Sequence, residues 1–466
     1  MSQSAITVCD PAAERGLGAR LRATVTRLKA ALLGAGDRQV DRLNAMLAFV
    51  VRVTSAAILF ISQIALARWM GAEQFGTYVY AWTLVLVLGA IATMGLNIGA
   101  IRIVSELRER RSDDAFRGFL MGSRIAVALS AILVMALAVG SACLIEASAI
   151  SGPWMTIAVI MLAIPAYSLT DLQDGICRGC GRMASALLAP YILRPIFILC
   201  GIGALYFSGS PLDATHAAMA AVVATWLAWA IQTVIVARDL RRVVSVGPRA
   251  YEPRAWAVTS APLMLMGIFD LAMQNIDVIV ISNLLSSTDA GIYFAAAKTM
   301  ALILFVHYAV GSSMANRFAA IATRGDHEAM KTAVRDAVRW TFWPSVAMAA
   351  IMLGLGTHLL SLFGAKFEAG YPVMCILAVA IVGRAAIGPA EALLNMTGGQ
   401  RECARSLMIA AGTNLMLNLF LTPRFGIVGA AISVATAILL GAFLNWCAAR
   451  RNLGIDIGIW AFPRKS

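Results

Sequence analysis

Charge is scarce in this sequence. Only 14% of its 466 residues are Asp, Glu, Lys or Arg and 60% are hydrophobic, whereas a soluble domain of this length carries about a quarter charged residues to cover its surface. Acids are the scarcer sign, 25 against 38 basic residues. The sequence also lacks a phosphate-cradling glycine loop, an HExxH and a GxSxG, so nothing in it points to ATP hydrolysis or hydrolase chemistry. Its eight cysteines lie mostly in apolar stretches or basic connections, which indicates no disulfide framework. Cys177-Arg178-Gly179-Cys180 has no second pair of ligands nearby to complete a zinc site.

What is present is a series of apolar stretches close to the ~20 residues that an α-helix needs to cross a bilayer. Twelve spans are expected, at 44–67, 77–98, 118–142, 153–173, 184–207, 215–237, 256–282, 290–314, 337–363, 370–395, 405–421 and 426–448. The fold class is therefore all-α, a polytopic membrane protein. Outside the spans, arginine is confined almost wholly to alternate connections. Arg108, Arg110, Arg111 and Arg117 follow span two, Arg238, Arg241, Arg242, Arg249 and Arg254 follow span six, and Arg317, Arg324, Lys331 and Arg335 follow span eight. The odd-to-even connections hold little beyond Arg68, Lys366 and Arg424. By the positive-inside rule the basic loops and both termini are cytoplasmic. The excess of +13 then meets anionic headgroups, and no nucleic-acid partner is needed to explain it.

The tail before the first span carries Arg15, Arg20, Arg22, Arg27, Lys29, Arg38 and Arg42, with Leu17, Leu21, Val25, Leu28 and Leu32 at helical spacing. It reads either as a basic amphipathic helix on the inner leaflet or as a solvated tail. It lacks the compact apolar core and small-residue cleavage site of a signal peptide, and Asp10, Glu14, Asp37 and Asp41 argue against an organellar presequence.

Two segments echo each other. Arg68 to Tyr78 joins spans one and two, Asn283 to Tyr293 joins spans seven and eight, and each ends in Gly-x-Tyr. Gly179-Cys180-Gly181-Arg182 before span five is likewise echoed by Gly398-Gly399-Gln400-Arg401 before span eleven. Two homologous six-helix bundles of the same orientation are expected, around a central cavity. The boundaries are 1–43 for the tail, 44–238 and 256–450 for the bundles, 239–255 for a cytoplasmic linker and 451–466 for a second tail.

The first turn with its following Tyr-Val-Tyr-Ala, the Asp277-to-Tyr293 segment, and Thr422-Pro423-Arg424-Phe425-Gly426-Ile427-Val428-Gly429-Ala430-Ala431-Ile432-Ser433 resemble the polysaccharide transporter branch of the MOP exporter superfamily. The resemblance covers about residues 44 to 450. It implies a non-enzymatic flippase of the bacterial inner membrane that moves an undecaprenyl-pyrophosphate-linked oligosaccharide from the cytoplasmic to the periplasmic leaflet. The product would be O-antigen, capsule or exopolysaccharide. Partners would be the polyprenyl-pyrophosphate-linked oligosaccharide itself and membrane lipids, with a polysaccharide polymerase and a chain-length regulator beside them. No cofactor is expected beyond a coupling ion, H+ or Na+.

Such a head group cannot cross hydrocarbon without polar partners, so the ionisable residues within spans are the candidates. The substrate-binding cations would be Arg52, Arg194, Lys298 and Arg384, since a guanidinium can hold phosphate oxygens bidentately. Internal salt bridges are the competing role. Arg124 lies nearer a span end and reads as a snorkelling residue. Asp270, Gln274 and Asp277 share one helical face at i, i+4, i+7, and Arg384, Glu391 and Asn395 follow a similar stripe across Gly388-Pro389. Asp270, Gln274, Asp277 and Glu391 would balance charge or bind the coupling ion. Asn414 and Asn418, one turn apart, read as glue between helices. A cation-coupled multidrug antiporter of the same superfamily is the alternative, with a membrane polysaccharide polymerase or ligase behind it. The short outward loops leave that enzyme little room for catalytic groups.

Overall fold

A computed structural model describes residues 37–148, 153–209, 212–241, 244 and 247–461, with residues 37–53 described as backbone only. The amphipathic stretch expected within the tail lies outside the described residues. The chain divides into two compact units, Met1–Arg52 and Val53–Ser466, and the fold considered below is that of the second.

Every regular element among the described residues is helical. Among the described residues eight helices are long and apolar enough to cross a membrane, or nine if one bent pair counts as a single crossing. Two of the eight hold a sharp break. α1 (Asp37–Ala92) is interrupted at Gly71, whose φ of 77° and ψ of 168° are not helical, and the 54-residue helix Gln400–Leu453 is interrupted at Gly426. A helix of that length would run about 80 Å, more than twice the hydrocarbon thickness, so each glycine marks where one crossing ends and the next begins. These breaks lie at the expected junctions of spans one with two and eleven with twelve.

The remaining elements follow the expected spans with longer ends. α2 (Leu96–Glu109) continues span two past a turn at Gly95, and α3 (Asp113–Ser148) is span three. Span four is the bent pair α4 (Trp154–Met161) and α5 (Ile164–Gly179), turned by 44°. Span five comprises α6 (Met183–Leu188), a wide turn at Ala189–Leu193 and α7 (Arg194–Phe207). Pro190 and Pro195 bracket that turn, where the missing proline N–H groups loosen the backbone ladder. α8 is Ala214–Arg241, α9 Pro253–Leu284, α10 Ser287–Ala301, α11 Leu304–Arg324 and α12 His327–Gly354. After α13 (Gly356–Ser361), span ten is split into α14 (Tyr371–Ala385) and α15 (Ala390–Met396), and α16 is Gln400–Leu453.

Side chains explain several of these boundaries. Ser286 caps α10 by accepting from the Asp289 N–H at 3.1 Å, and Asp326 caps α12 by accepting from Ala329 N–H at 2.9 Å, each satisfying an orphan donor of a first turn. Gly388, at φ 71°, precedes Pro389 and ends α14. Along α3, Leu129, Leu133 and Leu137 are 65%, 61% and 65% exposed. Their i, i+4, i+8 spacing makes an unpartnered apolar stripe, which suits lipid rather than water.

The two echoing turns meet. A Cβ on Gly76 would collide with the Ser287 carbonyl, and one on Gly291 would approach the Ala72 carbonyl and the Gly76 Cα. Each glycine thus packs on the residue four before its counterpart, a reciprocity that a two-fold relation between the turns produces. Tyr80 and Asn283 bond side chain to side chain across the same junction, with Asn283 Nδ2 donating to the Tyr80 oxygen at 3.2 Å. The linker is also docked: Ala250 N–H donates to the Asp114 carbonyl at 2.9 Å, and Arg117 Nε donates to the Pro248 carbonyl at 2.8 Å. Residues 455–461, expected to trail as a tail, instead fold back, with Ile455 and Ile457 buried and Ile459 N–H donating to the Ala386 carbonyl at 2.8 Å.

Candidate functional site

A cavity of about 540 Å³ lies between α9, α10, α14, α15 and α16. α9 presents Asp270, Gln274 and Asp277 to it from one face, as their spacing dictates. Gln274 Nε2 donates to Asp270 Oδ2 at 2.9 Å, which holds both side chains along the wall. Asp277 is buried, facing Tyr293 and Lys298 of α10. The break between α14 and α15 brings Arg384 onto Glu391, Nη2 to Oε1 at 3.0 Å. That pair spans seven residues across Gly388-Pro389, so the unwound segment sets its geometry.

Lys298 stands apart from this pairing. Its ammonium lies 5.1 Å over the Phe294 ring, and no carboxylate oxygen lies within 4.0 Å of it among the described residues. Among the described residues the cavity therefore holds one cation in a closed ion pair and one that Asp277 faces from beyond 4.0 Å. By formal charge it carries two cations, Lys298 and Arg384, against three acids, Asp270, Asp277 and Glu391. Among the described residues acids thus outnumber cations in the wall, because α9 contributes two carboxylates and no base to it, and the side chain of the expected cation Arg52 is not among them.

The structure gathers six of the eight sequence candidates here and leaves two elsewhere. Arg194, at the head of α7, is 5.4 Å from the Trp82 ring and 5.2 Å from the Tyr167 ring, a cation–π seat between α1 and α5. Near it Asn97 Nδ2 donates to Asp171 Oδ2 at 2.7 Å. The side chain of Arg52 lies outside the described residues. Arg124 buries its Nε and Nη2 without a hydrogen-bond partner among the described residues, so the snorkelling reading does not describe it. Asp174 pairs with Arg178 at 2.8 Å.

Sequence reasoning passed over several cavity residues. Tyr293 was read as a turn marker, yet it is fully buried and lines the wall. Asn445, polar within the apolar last span, lines the wall as well. Asn414 and Asn418 were expected to bond between helices. Instead they bond along their own, with Asn418 Nδ2 donating to Asn414 Oδ1 at 3.0 Å and Thr422 Oγ1 to Asn418 Oδ1 at 2.9 Å. The i, i+4 spacing serves such a ladder equally well.

The sequence profile described as "Polysaccharide biosynthesis protein" matches residues 43–314, more than half of the chain. The chain belongs to that family. The MatE profile matches residues 262–423, the segment that supplies most of the cavity. The family is the branch of the MOP superfamily that the sequence resembles. Among curated proteins, the family member is 22% identical over 403 residues to the probable low-salt glycan biosynthesis flippase Agl15 of Haloferax volcanii, covering 85% of this chain and 81% of that one. Among solved structures it is similar to the lipid II flippase MurJ in an inward closed conformation, at a TM-score of 0.68, 12% identity and 87% coverage of each chain. It is also similar to a multidrug resistance MATE family transporter of the MOP superfamily, at a TM-score of 0.66 and 13% identity, covering 87% of this chain and 98% of that one. These likenesses establish the fold.

Proposed function

We propose that the protein is a flippase for lipid-linked oligosaccharide, carrying an undecaprenyl-pyrophosphate-linked glycan from the cytoplasmic to the periplasmic leaflet of the bacterial inner membrane. The glycan would serve O-antigen, capsule or exopolysaccharide synthesis, with a polymerase and a chain-length regulator acting after it. Both termini are cytoplasmic in this reading, and the bundles 44–238 and 256–450 rock against each other, with the cavity lined by residues of the second bundle. The relatives are flippases and transporters, not enzymes.

The observation that carries the proposal is Lys298, a cation in a membrane-embedded cavity with no carboxylate within 4.0 Å among the described residues. Asp277 faces Lys298 without closing an ion pair, and a cation held so loosely in such a place gains from a ligand that contacts it directly. A pyrophosphate does so, and Arg384 can join when it exchanges Glu391 for a phosphate oxygen. Asp270, Asp277 and Glu391 then balance charge while the cavity is empty, or take a coupling H+ or Na+. The reciprocal contact of Gly76 with Gly291 supports two bundles related by an axis between these turns.

The acid excess of the cavity favours a second reading, a cation-coupled multidrug antiporter, because three carboxylates with nearby Tyr293 suit an organic cation. One experiment separates them. Cells lacking the protein are probed with a membrane-impermeant glycan-cleaving reagent, with wild type, Arg52→Ala and Lys298→Ala restored separately. Glycan lipid that stays protected unless wild type is restored supports the flippase. An unchanged leaflet distribution with reduced drug efflux overturns it for the antiporter.

A further inference from the structure

The arginine-poor connections hold Arg68, Lys366 and Arg424 as their few basic residues, and the structure brings two of them together. Arg68 and Lys366, far apart in sequence, line one recess of about 500 Å³ with Trp69, Tyr206, Phe363 and Phe367. The break at Gly71 ends the first crossing just below it and leaves Arg68 and Trp69 at the helix end. Both cations are exposed, and neither has an ion pair or hydrogen bond among the described residues. Trp69 and Tyr206 stack at 5.0 Å and 15°, and Phe363 and Phe367 lie together beneath, 5.8 Å apart.

Basic residues are depleted from outward connections by topogenesis, and those that remain are ordinarily scattered. Two that converge from separate turns, neither of them paired with Glu73 or Glu368 of the same segments, offer their charges to an anion. Arg68 offers a planar fork to phosphate oxygens and Lys366 a point charge. The ring surface beside them is flat and apolar with polar edges, which complements the C–H face of a pyranose.

We propose that this recess is a second substrate site, which receives the phosphate-and-sugar head of the lipid at the outward face after it leaves the central cavity. The proposal rests on the flippase reading and its orientation. Arg68 and Lys366 hold the phosphates, the stacked Trp69–Tyr206 pair offers an outer ring face to the first sugar, and the polyprenyl chain stays in lipid. A site there lowers the chance that the head falls back into the cavity as it reopens inward. An anionic phospholipid shares the phosphate chemistry but not the sugar, and the test separates the two.

The experiment is photo-crosslinking in phosphatidylcholine proteoliposomes with a polyprenyl pyrophosphoryl N-acetylhexosamine bearing a diazirine on the sugar, followed by mapping of labelled peptides. Wild type should be labelled both at residues 67–72 or 363–367 and at the central cavity. Arg68→Gln with Lys366→Gln should reduce outward labelling by about tenfold or more, as expected for loss of charged hydrogen bonds, with cavity labelling retained. Trp69→Leu should also reduce it, and Lys298→Ala should reduce only cavity labelling. Outward labelling that is absent in wild type, or unchanged in the double variant, while cavity labelling persists would overturn the proposal. Outward labelling abolished by phosphatidylglycerol and indifferent to Trp69→Leu would overturn its sugar half and leave a phospholipid site. Labelling confined to the recess, with none in the cavity, would support the recess and overturn the cavity assignment instead.

Discussion

Gly76 and Gly291 meet backbone to backbone, each standing where any side chain would press on the opposite turn. The contact closes the two echoing turns against each other, and the Tyr80–Asn283 bond seals it. In the alternating-access reading proposed above, this junction would part for the outward opening. The absence of both side chains lets the turns come close enough to exclude a path.

The first prediction is that Gly76→Ala opens this junction. Its Cβ cannot be accommodated beside the Ser287 carbonyl without a shift of backbone, and overpacking of this kind costs about 1–3 kcal/mol. A cysteine placed at Asn283 should therefore react several-fold faster with an impermeant thiol reagent in the Gly76→Ala background than with Gly76 intact. Equal rates would show that the junction is not the outward closure.

The second concerns the folded-back segment after α16. Pro389 and the Gly388 turn free the Ala386 carbonyl from its own helix, and Ile459 N–H satisfies it at 2.8 Å. Asp456 holds the segment by accepting from Trp446 Nε1 at 2.8 Å and Gly458 N–H at 3.0 Å. Ile457 fills the space beside Pro389 and Val338. Ile457→Ala should cost about 2–5 kcal/mol as a buried large-to-small change, seen as a lower Tm in detergent. Because the segment braces the break that positions Arg384 and Glu391, glycan-lipid transport should fall as well. An unchanged transport rate in a destabilised variant would make the brace purely structural.

A third prediction follows from Asp213, outside the spans at the head of α8. Partial burial works against its charge, but the backbone N–H and ring of His216, each 2.8 Å from Oδ1, more than offset this and hold its carboxyl below the usual carboxylate range. A lowered folded-state pKa gives stability that is present above the unfolded value and is lost as pH falls through the folded one. Asp213→Ala should therefore lower stability by about 1 kcal/mol at pH 7. The gap to wild type should hold down to roughly pH 4, the ordinary Asp value, and narrow below it. Thermal shifts measured at pH 7, 5 and 3.5 check this, and a gap that widens in acid would refute the cap.

Much of the fold was legible in the sequence because the bilayer imposes lengths. Span boundaries followed apolar run length, and the breaks at Gly71 and Gly426 fell where polar turn residues interrupted those runs. The shared face of Asp270, Gln274 and Asp277 followed from helical periodicity. Which helices enclose a cavity is a tertiary matter, and periodicity is silent on it. Hence Arg194 was grouped with Lys298 and Arg384 although it sits between Trp82 and Tyr167. The convergence of Arg68 with Lys366 was hidden for the same reason, since each alone is only one base in a short turn. Tyr293 was missed because a residue after a glycine turn reads as an interfacial aromatic, and its fully buried position depends on the opposing turn.

The last prediction separates Lys298 from Arg384 by their partners. Lys298 has no carboxylate within 4.0 Å among the described residues, so Lys298→Ala should remove an anion contact without breaking a closed ion pair, although it also takes away the cation that buried Asp277 faces. Transport should fall at least about tenfold, while Lys298→Arg, which keeps the charge, should retain part of it. Arg384 is held by Glu391 at 3.0 Å, so Arg384→Gln should both lose a phosphate contact and leave Glu391 unpaired. The double variant Arg384→Gln, Glu391→Gln should recover stability relative to Arg384→Gln, because neighbours in one ion pair are not additive. Transport should stay low, since neither glutamine carries the charge a pyrophosphate needs. Glu391→Gln alone frees Arg384 and should tighten binding of a glycan-lipid head while slowing its release. Equal transport in Lys298→Ala and wild type would exclude the cavity as the pyrophosphate site, whatever the Arg384 variants do.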